Sequence, residues 1–236
     1  MRFRPDAARE HVSAQCSGAA RQRGQSMVEF IIVLPALLLL VLGAIQFSLV
    51  LMAKSTLDNA TFLGVRDGTL NNASVSSIND GIAKGLTPLY QRYMQGGQSY
   101  ANYLLARAQA LLAVNDPTVV SVTVLNPTPA AFQDFGESAT IGGQTATVIP
   151  NSRLMWRSTA VGGSSGENIQ DANLLKIRVR YCFKLDVPFI QQTITGMATA
   201  GILITPTGAF DTACYAGGGM PLQADATMLM QSPAAQ

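Results

Sequence analysis

Residues 30–53 form an unbroken apolar run in which Gln46 and Ser48 are the only polar side chains and none is charged. A helix crossing a bilayer needs a run of this length and purity, because ~20 residues rising 1.5 Å each span the hydrocarbon layer. The sequence is therefore predicted to be that of a membrane protein. The entrance to the run is unusual. Glu29 abuts it directly, and the nearest positive charges, Arg21 and Arg23, lie on the far side of Gly24. A carboxylate at the edge of lipid is costly, so its presence calls for a reason.

Beyond residue 53 there are 183 of the 236 residues, enough for one core outside the membrane. Charged residues make up 13% and the net charge is +2, with no acidic or basic tail, so no nucleic-acid partner is expected. Residues 1–24 hold five arginines (Arg2, Arg4, Arg9, Arg21, Arg23) against Asp6 and Glu10, which leaves −1 for the rest. Arginines beside a first apolar segment stay in the cytoplasm, and the other flank offers only Lys54 before Asp58. The expected topology places the N-terminus in the cytoplasm and the body in the periplasm, anchored in the inner membrane. Cys16 falls in the leader, whereas Cys182 and Cys214 fall in the exported part and are candidates for one disulfide, two unpaired buried thiols being the alternative.

A cleaved secretory signal does not fit the leader, since the run is about twice the ~7–15 residues of a signal core and no small-x-small site closes it. Two readings are left. In one, the segment is an uncleaved signal anchor. In the other, the chain is cut after Gly24, making Gln25 the first residue and Glu29 the fifth. Positions four apart share a helix face, so the new α-ammonium and the Glu29 carboxylate would pair within a chain or between neighbouring subunits. Such a pair offsets part of the desolvation of each charge.

The stretch Gly24-Gln-Ser-Met-Val-Glu29-Phe30 ahead of a long apolar helix resembles the processing site of type IV-type prepilins, in which a prepilin peptidase cuts after the glycine. With Pro35 following Glu29-Phe-Ile-Ile-Val-Leu, and with Asn59-Ala60 followed by Val65-Arg66-Asp67-Gly68, it is similar to the TadE-like pseudopilins of tight-adherence (Tad) pili. Asp67 departs from the small residue expected between the arginine and the glycine. The resemblance implies a minor pseudopilin that assembles or initiates an adhesive pilus used in surface colonisation and biofilm formation. It implies as partners the prepilin peptidase, the major pilin and other minor pseudopilins, the inner-membrane assembly platform and the lipid bilayer. Gly24 and Gln25 would form the scissile bond and Glu29 would act in subunit docking.

One continuous helix is predicted over 26–66, roughly 60 Å long, with a kink at Pro35, which lacks a backbone donor. Leu57, Ala60, Leu63 and Gly64 recur at helical spacing, and Gly68 with Asn71-Asn72 is a stop signal. Residues 75–114 read as two helices broken at Gly96-Gly97, with Arg107 on the polar side of the second, and 118–125 as a strand. Residues 126–149 read as loop with a short strand at 145–149. Further strands are expected at 154–159 and 199–205, and a solvated turn at 162–166. The clearest strand is 174–185, with Leu175, Ile177, Val179, Tyr181, Phe183 and Leu185 on one face and Lys176, Arg178, Arg180 and Lys184 on the other. The expected fold is α+β: a long transmembrane helix continuing into a periplasmic domain with a small antiparallel sheet flanked by helices. Its parts are a leader (1–24), the anchor and scaffold helix (25–68), the exported domain (69–216) and a mobile tail (217–236).

His11, in the leader, is the only histidine, which leaves the rest of the sequence without the base of a Ser-His-Asp triad or an imidazole metal ligand. The acidic residues of the exported part are scattered, with no pair suited to glycoside or calcium chemistry. No enzyme activity, metal or cofactor is expected. The other readings are an uncleaved single-pass scaffold of another envelope complex and a membrane-tethered periplasmic hydrolase.

Overall fold

The computed structural model describes residues 25–92, 94, 99–187, 189–201 and 208–236. The leader, Gly24 and the Gly96-Gly97 pair lie outside the described residues. In chain order the elements are α1 (Gln25–Leu70), α2 (Val75–Gln91), α3 (Tyr100–Asn115), β1 (Val120–Asn126), α4 (Pro129–Phe135), β2 (Glu137–Ile141), β3 (Gln144–Ile149), α5 (Ile169–Ala172), β4 (Leu174–Lys184), α6 (Ile190–Thr199), α7 (Ala209–Ala216), β5 (Gly219–Leu229) and β6 (Ala234–Ala235). The class is α+β, as the sequence predicts. Two compact units divide between Leu40 and Val41.

In the first unit α1 is apolar and exposed on every face from Phe30 to Leu40, and Pro35 lies inside it. This helix is long and apolar enough to cross a membrane.

In the second unit α1 acquires a buried stripe. Gln46, Ala53, Leu57, Ala60, Thr61, Val65 and Thr69 are sequestered, and apart from the adjacent pair Ala60-Thr61 they recur at intervals of three, four and seven residues, the period of one helix face. Here small residues set the packing distance. A Cβ on Gly85 would lie 2.3 Å from the Ala60 Cα, and one on Gly81 would lie 2.8 Å from the Gly64 Cα, so α1 and α2 touch backbone to backbone. The four-residue spacing of Gly81 and Gly85 brings both to the same side of α2, where close approach needs them.

The main sheet runs β1-β4-β5, antiparallel throughout, with β4 central. Alternation along β4 buries Leu175, Ile177, Val179, Tyr181 and Phe183 in the core shared with α1 and α2, as its period-two pattern predicts. A smaller sheet runs β2-β3-β6.

Two expectations are overturned. Residues 217–236 are not a mobile tail: β5 pairs with all of β4 from Leu174↔Leu229 to Lys184↔Gly219, and Ala234 pairs with Ile149. Its Pro221 is tolerated because β5 is an edge strand, where a missing N–H breaks no ladder on the free side. Residues 154–159 are not a strand, because Arg153 adopts a left-handed conformation (φ 57°) that turns the chain into a short 3-10 turn at Leu154–Trp156. Of the strand expected over 199–205, only 199–201 fall among the described residues. Thr199 closes α6 and Gly201 (φ 68°) turns the chain, with 202–207 outside the described residues.

The expected loop at 126–149 is also more ordered than its glycines and prolines suggest. Thr128 caps α4 by accepting from Ala131 N–H, with Pro129 in the first turn, a pairing of cap and proline that favours helix starts. Gly142 and Gly143 both take positive φ and close the β2-β3 hairpin.

Candidate functional site: the N-terminal helix and its seat

Gln25, the first described residue, is already within α1, and Glu29 follows one helical turn later, exposed. At 3.6 residues per turn the backbone positions 25 and 29 share a face. Gly24, the residue before the expected cut, lies outside the described residues. Pro35 sits a further turn and a half along, within continuous helix.

Farther on, the helix meets the body first at Gln46. This side chain is 1% exposed, and its Oε1 accepts a hydrogen bond from Val187 N–H at 2.9 Å, while its Nε2 is buried without a partner. A buried amide making one of its bonds is a costly way to fill space and a specific way to fix position. Sequence reasoning noted Gln46 as an interruption of the apolar run and assigned it no role. Ser48, the other interruption, bonds back to Ala44 O at 2.9 Å within the helix.

The outer end of α1 is held by charge and by the C-terminus. Lys84 of α2 reaches Asp67 of α1 and Asp80 at 2.8 Å each, and Asp80 also pairs with Arg107 of α3. The Lys84 hydrogen bond, with Arg107 beside it, holds the Asp80 carboxyl below the usual range, and Asp67 and then Asp80 push the Lys84 ammonium up. Asp67, the departure from the family pattern, is thus an anchor point for α2. Arg107, expected on a solvated face, is largely covered, at 17% side-chain exposure. The last carbonyls of a helix lack intrahelical donors. The Thr69 carbonyl receives Gln231 N–H, Ser232 N–H and Ser232 Oγ–H at 3.1, 2.9 and 3.0 Å, so the C-terminal segment completes the end of α1.

Cys182 of β4 and Cys214 of α7 are joined by a disulfide, with Cα atoms 5.6 Å apart. It lies on the sheet face opposite the core, where Arg180 approaches Asp211 at 3.7 Å. One cation of this face is paired across strands: Arg178 binds Asp225 through Nε and Nη2 at 2.9 and 2.8 Å. Among the described residues no cluster of His, Cys, Asp or Glu could hold a metal ion.

Among the described residues, one N-terminal apolar helix is thus consistent with a single-pass membrane anchor, and the remainder forms an α+β body. The family model described as TadE-like protein matches residues 24–66, from the glycine before α1 to the arginine one turn short of its end. The chain thus carries a segment similar to TadE-like proteins. No curated protein and no solved structure matches it.

Proposed function

We propose that the chain is a minor pseudopilin of a Tad-type adhesive pilus, cut by a prepilin peptidase between Gly24 and Gln25. The observation that carries this reading is the place of the TadE-like match: it begins at residue 24, and Glu29 follows five residues later at the head of the apolar helix. Cleavage there places a new ammonium on the same helix face as the Glu29 carboxylate. In a bundle of such helices the carboxylate of one subunit also lies within reach of the ammonium of the next, and in low dielectric that pairing sets the axial register between subunits. The arginines of the leader hold the N-terminus in the cytoplasm until the cut, and the body folds in the periplasm, where the Cys182–Cys214 disulfide is stable. The major pilin, other minor pseudopilins and the inner-membrane assembly platform are the partners of the exposed helix.

Glu29→Ala should abolish or strongly reduce pilus assembly, while the processed chain accumulates in the membrane at the wild-type level. Immunoblotting of sheared pili and of membranes reads both quantities. Full piliation by Glu29→Ala would remove the docking role.

A further inference from the structure

The first contact of α1 with the body brings an exposed aromatic ring to the place where the lipid-facing part of the helix ends. From Met27 to Ile45, about 19 positions or roughly 28 Å of helix, the side chains are exposed or half-exposed, and this matches the hydrocarbon thickness. Burial starts at Gln46, which holds Val187. Phe189 is two residues beyond Val187, so its Cα is within about 7 Å of that anchored residue.

Phe189 combines two features that protein packing does not explain. Its ring is 67% exposed, and its backbone has φ 66°, ψ −51°, a conformation that bulky residues avoid. The conformation starts α6, with Thr193 N–H and Thr193 Oγ–H both bonding to the Phe189 carbonyl at 3.0 and 2.7 Å. The ring gains no burial in the body from it. The exposed side chains of the neighbouring α1 turns are apolar apart from Ser48, which bonds back within the helix: Ile45 is at 47%, Phe47 at 63% and Leu51 at 52%. The charged residue beside Val187, Asp186, is paired. Arg92, paired with Asp186 at 2.8 Å, sits against Met52, two helical turns past Ile45.

We propose that the turn carrying Phe189 is a membrane-contact site, its ring inserted at the boundary between phospholipid headgroups and acyl chains beside the α1 turn at Gln46. The site thereby seats the body on the bilayer and places the lipid boundary at Gln46 rather than at Ala53. Continuity with the exposed apolar helix selects the occupant: an aromatic ring at the depth where a span ends meets the interfacial layer that such rings favour. The inference rests on α1 spanning the membrane and is independent of cleavage.

The test uses the full chain in phospholipid nanodiscs, with lipids brominated near the headgroup or near the chain end, and iodide as the aqueous quencher. The native protein is its own control. Its single tryptophan, Trp156, is 87% exposed. Trp156 belongs to the other end of β4, where Gln170 Nε2–H bonds to Leu154 O and Asn173 Nδ2–H to Pro150 O. Its emission should be lost to iodide alone. In a Trp156→Phe background, Phe189→Trp should lose most of its emission to shallow bromines and little to iodide, and Leu38→Trp should be quenched by deep bromines. If Leu38→Trp responds to deep bromines but Phe189→Trp is quenched by iodide alone, the contact site is refuted while the anchor stands. Lipid-insensitive emission from both overturns the two together.

Discussion

The two halves of α1 are built from similar residues and meet different solvents. From Phe30 to Leu40 apolar side chains point in all directions and are all exposed, with Leu40 at 72% and Ile32 at 70%. From Gln46 to Leu70 the exposed and buried positions separate into stripes, and the buried one carries Ala53, Leu57, Ala60 and Val65 at 0%. Composition alone does not distinguish a helix that dissolves in lipid from one that docks on protein. Arrangement does: a lipid-facing helix is apolar all round, whereas a docking helix keeps small residues on one face and polar ones on the other. Lys54, Asp58 and Asn59 mark that change on the exposed side.

The difference predicts unequal mutational costs. Leu57→Ala should destabilise the body by about 3 kcal/mol through loss of buried area and a residual cavity, whereas Leu39→Ala should leave body stability within about 0.5 kcal/mol. Urea titration of the full chain in detergent, followed by Trp156 emission, compares them. Equal effects would erase the distinction between the halves.

Removing the disulfide by Cys182→Ser with Cys214→Ser should cost about 3 kcal/mol, because the bridge closes an interval of 32 residues. Thermal melts with and without reductant should show the same loss in the native chain and none in the double variant. Gln46→Leu strips Val187 N–H of its acceptor and also removes an unpaired amide, so the net loss should be about 1 kcal/mol. Membrane retention should not change, since the lipid-facing half is intact.

The smallest effect concerns pH. Asp80 has a lowered folded-state pKa, so its contribution is present above the ordinary carboxylate range and is lost as pH falls through the lowered value. With Asp80 43% exposed, solvent screening limits the contribution to about 0.5 kcal/mol. Asp80→Asn should flatten that part of the acid limb in denaturation measured below pH 5, and an unaltered limb would remove the group from the account.

What was legible in the sequence were the features with a strong period. The apolar run, the break near Gly68 and the alternation of 174–185 each repeat a signal over many residues. The tail was not legible because its strand signal is weak: Leu222, Ala224, Ala226 and Met228 alternate as they should, but small and flexible residues carry little β preference. It becomes a strand because β4 offers it an eleven-residue edge. The helices α6 and α7 were missed for the opposite reason. Threonine, glycine and isoleucine in 190–199 argue against a helix locally, and tertiary contacts decide. The role of Gln46 was half visible: one amide inside an apolar run was plain to see, and its partner lay 141 residues away. The Gly81/Gly85 stripe was readable as a small-residue repeat, and it needed Ala60 and Gly64 opposite it to acquire meaning.

The central claim is that the lipid-facing half of α1 begins its working life as a new N-terminus. Mass spectrometry of the N-terminal peptide, from membranes of cells with and without their prepilin peptidase, measures it directly. The account predicts a peptide starting at Gln25 in the first and one retaining Arg21 and Arg23 in the second. A chain that keeps those arginines in cells bearing functional pili would contradict it.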